Sequence, residues 1–160
     1  MVNKNACTKI VSMGIALSAI LMSASTMAAG TNTLTVTANV VGTCKFSTTT
    51  STLAFGALDP SVGVAVNAAG STNYWCTKGV TTAAIAADNG ANPVGAVRNM
   101  KHATLADVIP YSLVLTPSAT APGGPGLALT LGLAGTVAGP AYTAVSAGNY
   151  SDTVTLSITP

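Results

Sequence analysis

The chain has no glutamate and a single histidine, and only 6% of its 160 residues are charged. Aromatic residues are as scarce, at 4%. After residue 30 no stretch keeps a 3.6-residue apolar period, which argues against a helical bundle. There is no basic patch to attract nucleic acid and no acidic tail. With so little charge, solubility has to come from Thr, Ser and Asn. Such a surface suits an assembled or matrix protein better than an enzyme of the crowded cytosol.

The missing residue types also bear on catalysis. A nucleophile–His–acid arrangement would need His102 within reach of both a Ser or Cys and a carboxylate, and no G-x-S-x-G elbow is present. Asp59 precedes a proline, Asp88 sits in a turn, and Asp107 and Asp152 lie at strand edges. Ordinary turn and cap roles account for all four, so a glycosidase-type pair is not expected. Gly123-Gly124-Pro125-Gly126 lacks the Lys and following helix of a phosphate loop. Asn149-Tyr150-Ser151 matches a glycosylation sequon by chance. Tyr74 and Trp75 could stack a sugar, but at least one of them reads as a core plug. The reading is of a protein that is not an enzyme and needs no cofactor and no metal.

The N-terminus reads as a secretory signal, residues 1–29. Lys4 and Lys9 are its positive region, Ile10–Met22 its apolar run and Ser23–Ala29 its small-residue end, with cleavage after Ala28 or Ala29. The apolar run is about a dozen residues, short of the roughly 20 that span a membrane. Cys7 precedes the run and leaves with the signal. The mature chain is then about 130 residues, one domain's worth. Four basic residues (Lys45, Lys78, Arg98, Lys101) balance four acidic ones (Asp59, Asp88, Asp107, Asp152). The precursor's formal +2 charge therefore largely disappears on processing. Two cysteines remain, Cys44 and Cys76. An even pair in an exported chain reads as a disulfide, and two thiols with one distant His cannot complete a zinc shell.

The mature chain begins with Thr31–Val41, TNTLTVTANVV. There Leu34, Val36, Ala38 and Val40 alternate with Thr33, Thr35, Thr37 and Asn39, the period of a half-buried β-strand. Further strands are expected at Thr43–Ser47, Leu53–Leu58, Ser71–Lys78, Val80–Ala87, Val97–Ala103 and Ile109–Thr116. Leu127–Val137 reads as one strand or two, broken at Gly132 and Gly135, and Tyr150–Thr159 as the last. Asp88-Asn89-Gly90 is a turn, and the Pro/Gly-rich 117–126 stretch is a loop. Short strands at this spacing predict an all-β sandwich or barrel. Matching amphipathic strands at the two ends invite pairing between them or between their copies.

Taken in order, the motifs Gly42-Thr43-Cys44, Leu53-Ala54-Phe55-Gly56-Ala57-Leu58-Asp59-Pro60, Cys76-Thr77-Lys78-Gly79, Arg98-Asn99-Met100, Tyr111-Ser112-Leu113 and Gly148–Val154 resemble the spore coat protein U domain family. That family includes subunits of archaic, Csu-type, chaperone–usher pili. The resemblance spans essentially the whole mature chain. It implies an incomplete immunoglobulin-like β-sandwich that a donor strand completes: 30–41 as the donor extension and 42–160 as the pilin domain. Leu34, Val36, Ala38 and Val40 would be the groove-filling side chains. Val154, Leu156 and Ile158 would form the acceptor-groove strand, and Cys44 and Cys76 fall where the family's disulfide sits.

The implied partners are a periplasmic pilus chaperone, an outer-membrane usher and neighbouring pilin subunits, with no nucleic acid. The implied location is the periplasm and then the cell surface, where the pilus supports adhesion and biofilm formation. A non-fibrous secreted coat or matrix protein with the same domain is the alternative. A tip adhesin is a third reading, disfavoured because the chain has one domain and an arm. Burying the four donor side chains would stabilise such a contact by something on the order of 6–9 kcal/mol before entropy.

Overall fold

The computed structural model describes residues 29–81 and 83–160. The expected signal segment, apart from Ala29, lies outside the described residues. The chain divides into a unit ending at Thr37 and a second unit, Ala38–Pro160.

The second unit is built from β-strands. A six-stranded antiparallel sheet has the order β1-β2-β6-β5-β4-β7. Its members are β1 (Cys44–Phe46), β2 (Val66–Cys76), β4 (Arg98–His102), β5 (Val108–Pro117), β6 (Leu129–Val137) and β7 (Tyr150–Ser151). The other sheet pairs β3 (Ala84–Ala87) with β8 (Leu156–Thr159). Ile85, Leu156 and Ile158 of this small sheet pack on Leu129, Leu131, Leu133 and Tyr74 of the large one. Two layers closing on one apolar interior make an all-β, immunoglobulin-like sandwich.

Residue alternation explains why β2 and β6 form the centre. Along β6 the inward side is Leu129, Leu131, Leu133 and Val137, all buried. The outward side is Thr130, Gly132, Ala134 and Thr136, where Thr136 donates to Asn67 (2.7 Å) and Thr130 to Asn73 (3.3 Å), each directly opposite in register. Cross-strand Thr–Asn pairs thus do on this face what charges do on most proteins. Tyr74 is the core plug of its dipeptide; Trp75 points to the other face and is half-buried.

Cys44 and Cys76 are bonded, and they face each other across β1 and β2. The Thr77 amide donates to the Thr43 carbonyl and the Ser47 amide to the Asn73 carbonyl. Cys44 and Cys76 therefore occupy the non-hydrogen-bonded position between them, where opposed side chains come closest.

The structure corrects several element expectations. Thr31–Val41 belongs to no strand, and Leu34 (83%), Val36 (81%) and Val40 (81%) are exposed. Alternation alone forms no strand without a ladder to join. Leu53–Leu58 is likewise outside any sheet. Leu127–Val137 is one continuous strand from Leu129, because Gly132 and Gly135 keep their places in the ladders with β2 and β5. Tyr150–Thr159 is split into β7 and β8 by residues 152–155, where the chain changes sheets. β8 pairs with β3 rather than with Thr31–Val41. Asp88-Asn89-Gly90 is the expected turn, with Gly90 at φ +81° and its amide donating to Asp88 Oδ1 (2.9 Å).

Candidate functional site

Within the Ala38–Pro160 unit, an open cleft of about 820 Å³ runs between residues 51–58 and residues 150–156. Its floor is the inner face of the large sheet: Met100, Ile109, Tyr111, Leu113 and Leu133, with Tyr142 beside them. Both walls carry free backbone.

The first wall is residues 51–58. Leu53 packs on the Leu131 cluster and Phe55 and Leu58 on the cluster around Val137. Phe55 meets Tyr111 edge-to-face, with ring centroids 6.0 Å apart. Two bare backbone positions let this wall lie close to the sheet. A Cβ on Gly70 would come within 2.8 Å of the Thr52 carbonyl oxygen, and one on Gly135 within 2.8 Å of Leu53 and Phe55. Among the described residues, the peptide groups of 49–58 join no ladder and no backbone–backbone hydrogen bond. Side chains alone hold the segment down.

The second wall is 152–155 running into β8. The Asp88 amide donates to the Thr155 carbonyl (3.0 Å), and the Thr155 amide donates to Asp88 Oδ1 (3.0 Å). Antiparallel alternation then turns the peptide groups of Val154 and Leu156 to the opposite edge. On that edge no strand pairs with β8 among the described residues. Val154 and Leu156 line the cleft, and Leu156 and Ile158 both pack against the core cluster.

The ends of the cleft are held by polar groups. Tyr142 is buried and its hydroxyl donates to the Val64 carbonyl (2.7 Å). The Tyr150 hydroxyl donates to the Ser146 carbonyl (2.7 Å), and the Ser146 amide to Asp107 Oδ2 (2.8 Å). His102 Nδ1 accepts the amides of Thr104 (3.1 Å) and Leu105 (3.0 Å). That places its proton on Nε2, opposite the Ala147 carbonyl (3.3 Å). The ring also stacks edge-on against Tyr150 at 5.0 Å, so His102 is a structural post for the 145–149 loop. The Tyr111 phenol is pushed well above its ordinary range, first by burial and then by its hydrogen bond to Asp152. It stays a neutral donor.

The sequence reading assigned Val154 and Leu156 to this region but missed the floor. Ile109, Tyr111 and Leu113 alternate along β5, but no spacing in the sequence links them to Met100 of β4 or to Tyr142 of the loop after β6. The lining is mainly apolar side chain and free peptide, the chemistry of strand pairing, with Ser146, Asn149, Ser151 and Asp152 along the second wall. Among the described residues, no group of three or more His, Cys, Asp or Glu is placed to hold a metal ion, and no helix is long and apolar enough to cross a membrane.

No curated protein matches the chain. A family model of the Spore Coat Protein U domain matches residues 30–157. The chain therefore belongs to the Spore Coat Protein U domain family, a structural family of coat- and pilus-type proteins that are surface-exposed or secreted.

Proposed function

We propose that the cleft accepts one β-strand from another molecule, and that the protein is an exported subunit of a chaperone–usher surface pilus of the archaic, Csu type. In this reading Leu34, Val36, Ala38 and Val40 of one subunit fill the cleft of the next. A periplasmic chaperone occupies the cleft beforehand, and an outer-membrane usher assembles the fibre. The fibre serves adhesion and biofilm formation. The observation that carries the reading is a pair of unladdered backbone edges facing each other across an apolar floor.

Size and chemistry support it. Leu34 to Val40 is six residue steps, about 20 Å of extended chain at ~3.3 Å each, and residues 52–58 and 150–156 are six steps each. An inserted strand would give hydrogen-bond partners to both walls and bury alternate side chains on the floor. Left open, two such edges invite indiscriminate aggregation, which is the physical need for a chaperone. The arm and the cleft are different surfaces, so the contact is head-to-tail and grows into a filament instead of closing. The family match begins at residue 30, so the arm belongs to the matched region.

Deleting Thr31–Val40 tests the proposal. Unboiled surface material from the wild type should run as an SDS-resistant ladder and material from the deletion as monomer; a ladder that survives the deletion overturns the donor role. The matched family's coat-protein description keeps a second reading in view, a non-fibrous secreted layer. Electron microscopy of producing cells separates fibres from an amorphous coat.

A further inference from the structure

Residues 152–155 carry the chain out of the large sheet after β7 and into the small one as β8, and among the described residues only Thr155, bonded to Asp88, has a backbone–backbone hydrogen bond. A polar network does. Asp152 Oδ2 accepts the Tyr111 hydroxyl (2.7 Å), while Oδ1 accepts the Ala91 amide (2.9 Å) and the Asn92 side-chain amide (3.2 Å). Tyr111 stands in the cleft floor, and Ala91 and Asn92 belong to the turn after β3. One carboxylate thus ties wall, floor and turn together. That turn is anchored in its own right, since Arg98 donates to the carbonyls of Asp88 (2.7 Å) and Ala87 (3.1 Å). Gly90 lies directly against the Asp152 carboxylate, where a Cβ would overlap Oδ2.

We propose that Asp152 is a positioning residue of the cleft, and that with Tyr111 it sets the free wall at the separation one strand needs before any strand arrives. The inference rests on the strand-acceptor reading above. Without the network, only the Asp88–Thr155 hydrogen bonds at its far end restrain the stretch, and Asp152–Val154 would close over the apolar floor, because that closure removes the half-buried Met100 and Tyr111 from water. A carboxylate held by three donors from two elements resists it. A preformed acceptor also spares the incoming strand the cost of ordering the wall.

The test adds a fluorescent peptide of sequence 31–41 to the dilute full-length chain as it refolds from denaturant. It follows peptide uptake by anisotropy and then the melting of the loaded product. Tyr111→Phe removes only the hydroxyl, and Asp152→Asn removes the charge while keeping the shape. Losing a hydrogen bond to a charged group should slow uptake about tenfold in each. The double variant should be less than additive, since both changes break one contact. The loaded products should melt close to wild type, because the bound strand then holds the wall. Unchanged uptake in both variants overturns the inference, as does a loss of uptake matched by an equal loss of melting stability, which would mark a merely structural pair. A wild-type chain that takes up no peptide overturns the strand-acceptor reading itself.

Discussion

At the residue scale, carboxylates act here as fasteners for loops. The Gly90 amide first and the Thr155 amide second hold the Asp88 carboxyl below its usual range. Ser61 does the same for Asp59, and Ser146 for Asp107. A folded-state value below the unfolded one stabilises the fold above the unfolded pKa, about 3.9 for Asp. That contribution is lost as pH falls through the lower folded value. Stability should therefore stay level from neutrality to about pH 4–5 and decline only below that. Circular dichroism along an acid titration checks this, and Asp88→Asn should make the decline shallower; loss beginning near pH 6 would contradict the assignment. Cys44→Ser opens a loop with a sequence separation of 32 residues. It should lower stability by roughly 3–4 kcal/mol on the chain-entropy model. Thermal melting of oxidised wild type against the variant reads that directly.

At the scale of elements, the segment 51–58 is the decisive one. Its apolar residues Leu53, Phe55 and Leu58 suggested a strand, and the structure uses them as anchors instead, leaving the backbone unladdered. Propensity was legible there but pairing was not, because pairing depends on whether a neighbour lies beside the segment. Gly70 shows how close this wall sits. Its backbone angles suit alanine, yet the new Cβ would press on the Thr52 carbonyl, which is backbone and can yield only by moving the wall. Gly70→Ala should destabilise by about 1–3 kcal/mol, the usual range for overpacking. It should also shorten any SDS-resistant ladder by displacing one wall. A variant with wild-type melting and full-length ladders would mean that the wall tolerates movement. The terminal stretch teaches the same lesson. Tyr150–Thr159 reads as one strand, with Val154, Leu156 and Ile158 alternating with Thr and Ser, but Lys101 and His102 pair with its first part and Ala84–Ala87 with its last.

For the whole molecule, low charge sets the solution behaviour. Four basic residues face four acidic ones after residue 30, and the proposed interface is mainly apolar side chain and peptide, with Asp152 the one charged group in the cleft lining. Screening acts on exposed charges and leaves apolar burial intact or strengthened. Assemblies should hold together between low salt and 1 M sodium chloride, where the Debye length is about 3 Å. Light scattering across that range is the check; dissociation at high salt would point to an ionic contact in place of a shared strand. Urea, which solvates both apolar and peptide groups, should loosen the assemblies progressively.

Readable in the sequence alone are the all-β class, the cysteine pair, the Asp88–Gly90 turn, the family resemblance and the 117–126 loop, except that Pro117 closes β5 opposite Leu131. Each is written locally, in alternation, spacing or short motifs. Only the tertiary structure decided that 51–58 stays unpaired, that the last amphipathic run changes sheets at 152–155, and that Met100, Ile109, Tyr111 and Tyr142 share one floor. Those facts depend on which segments end up side by side. Long-range packing settles that, and no local pattern records it.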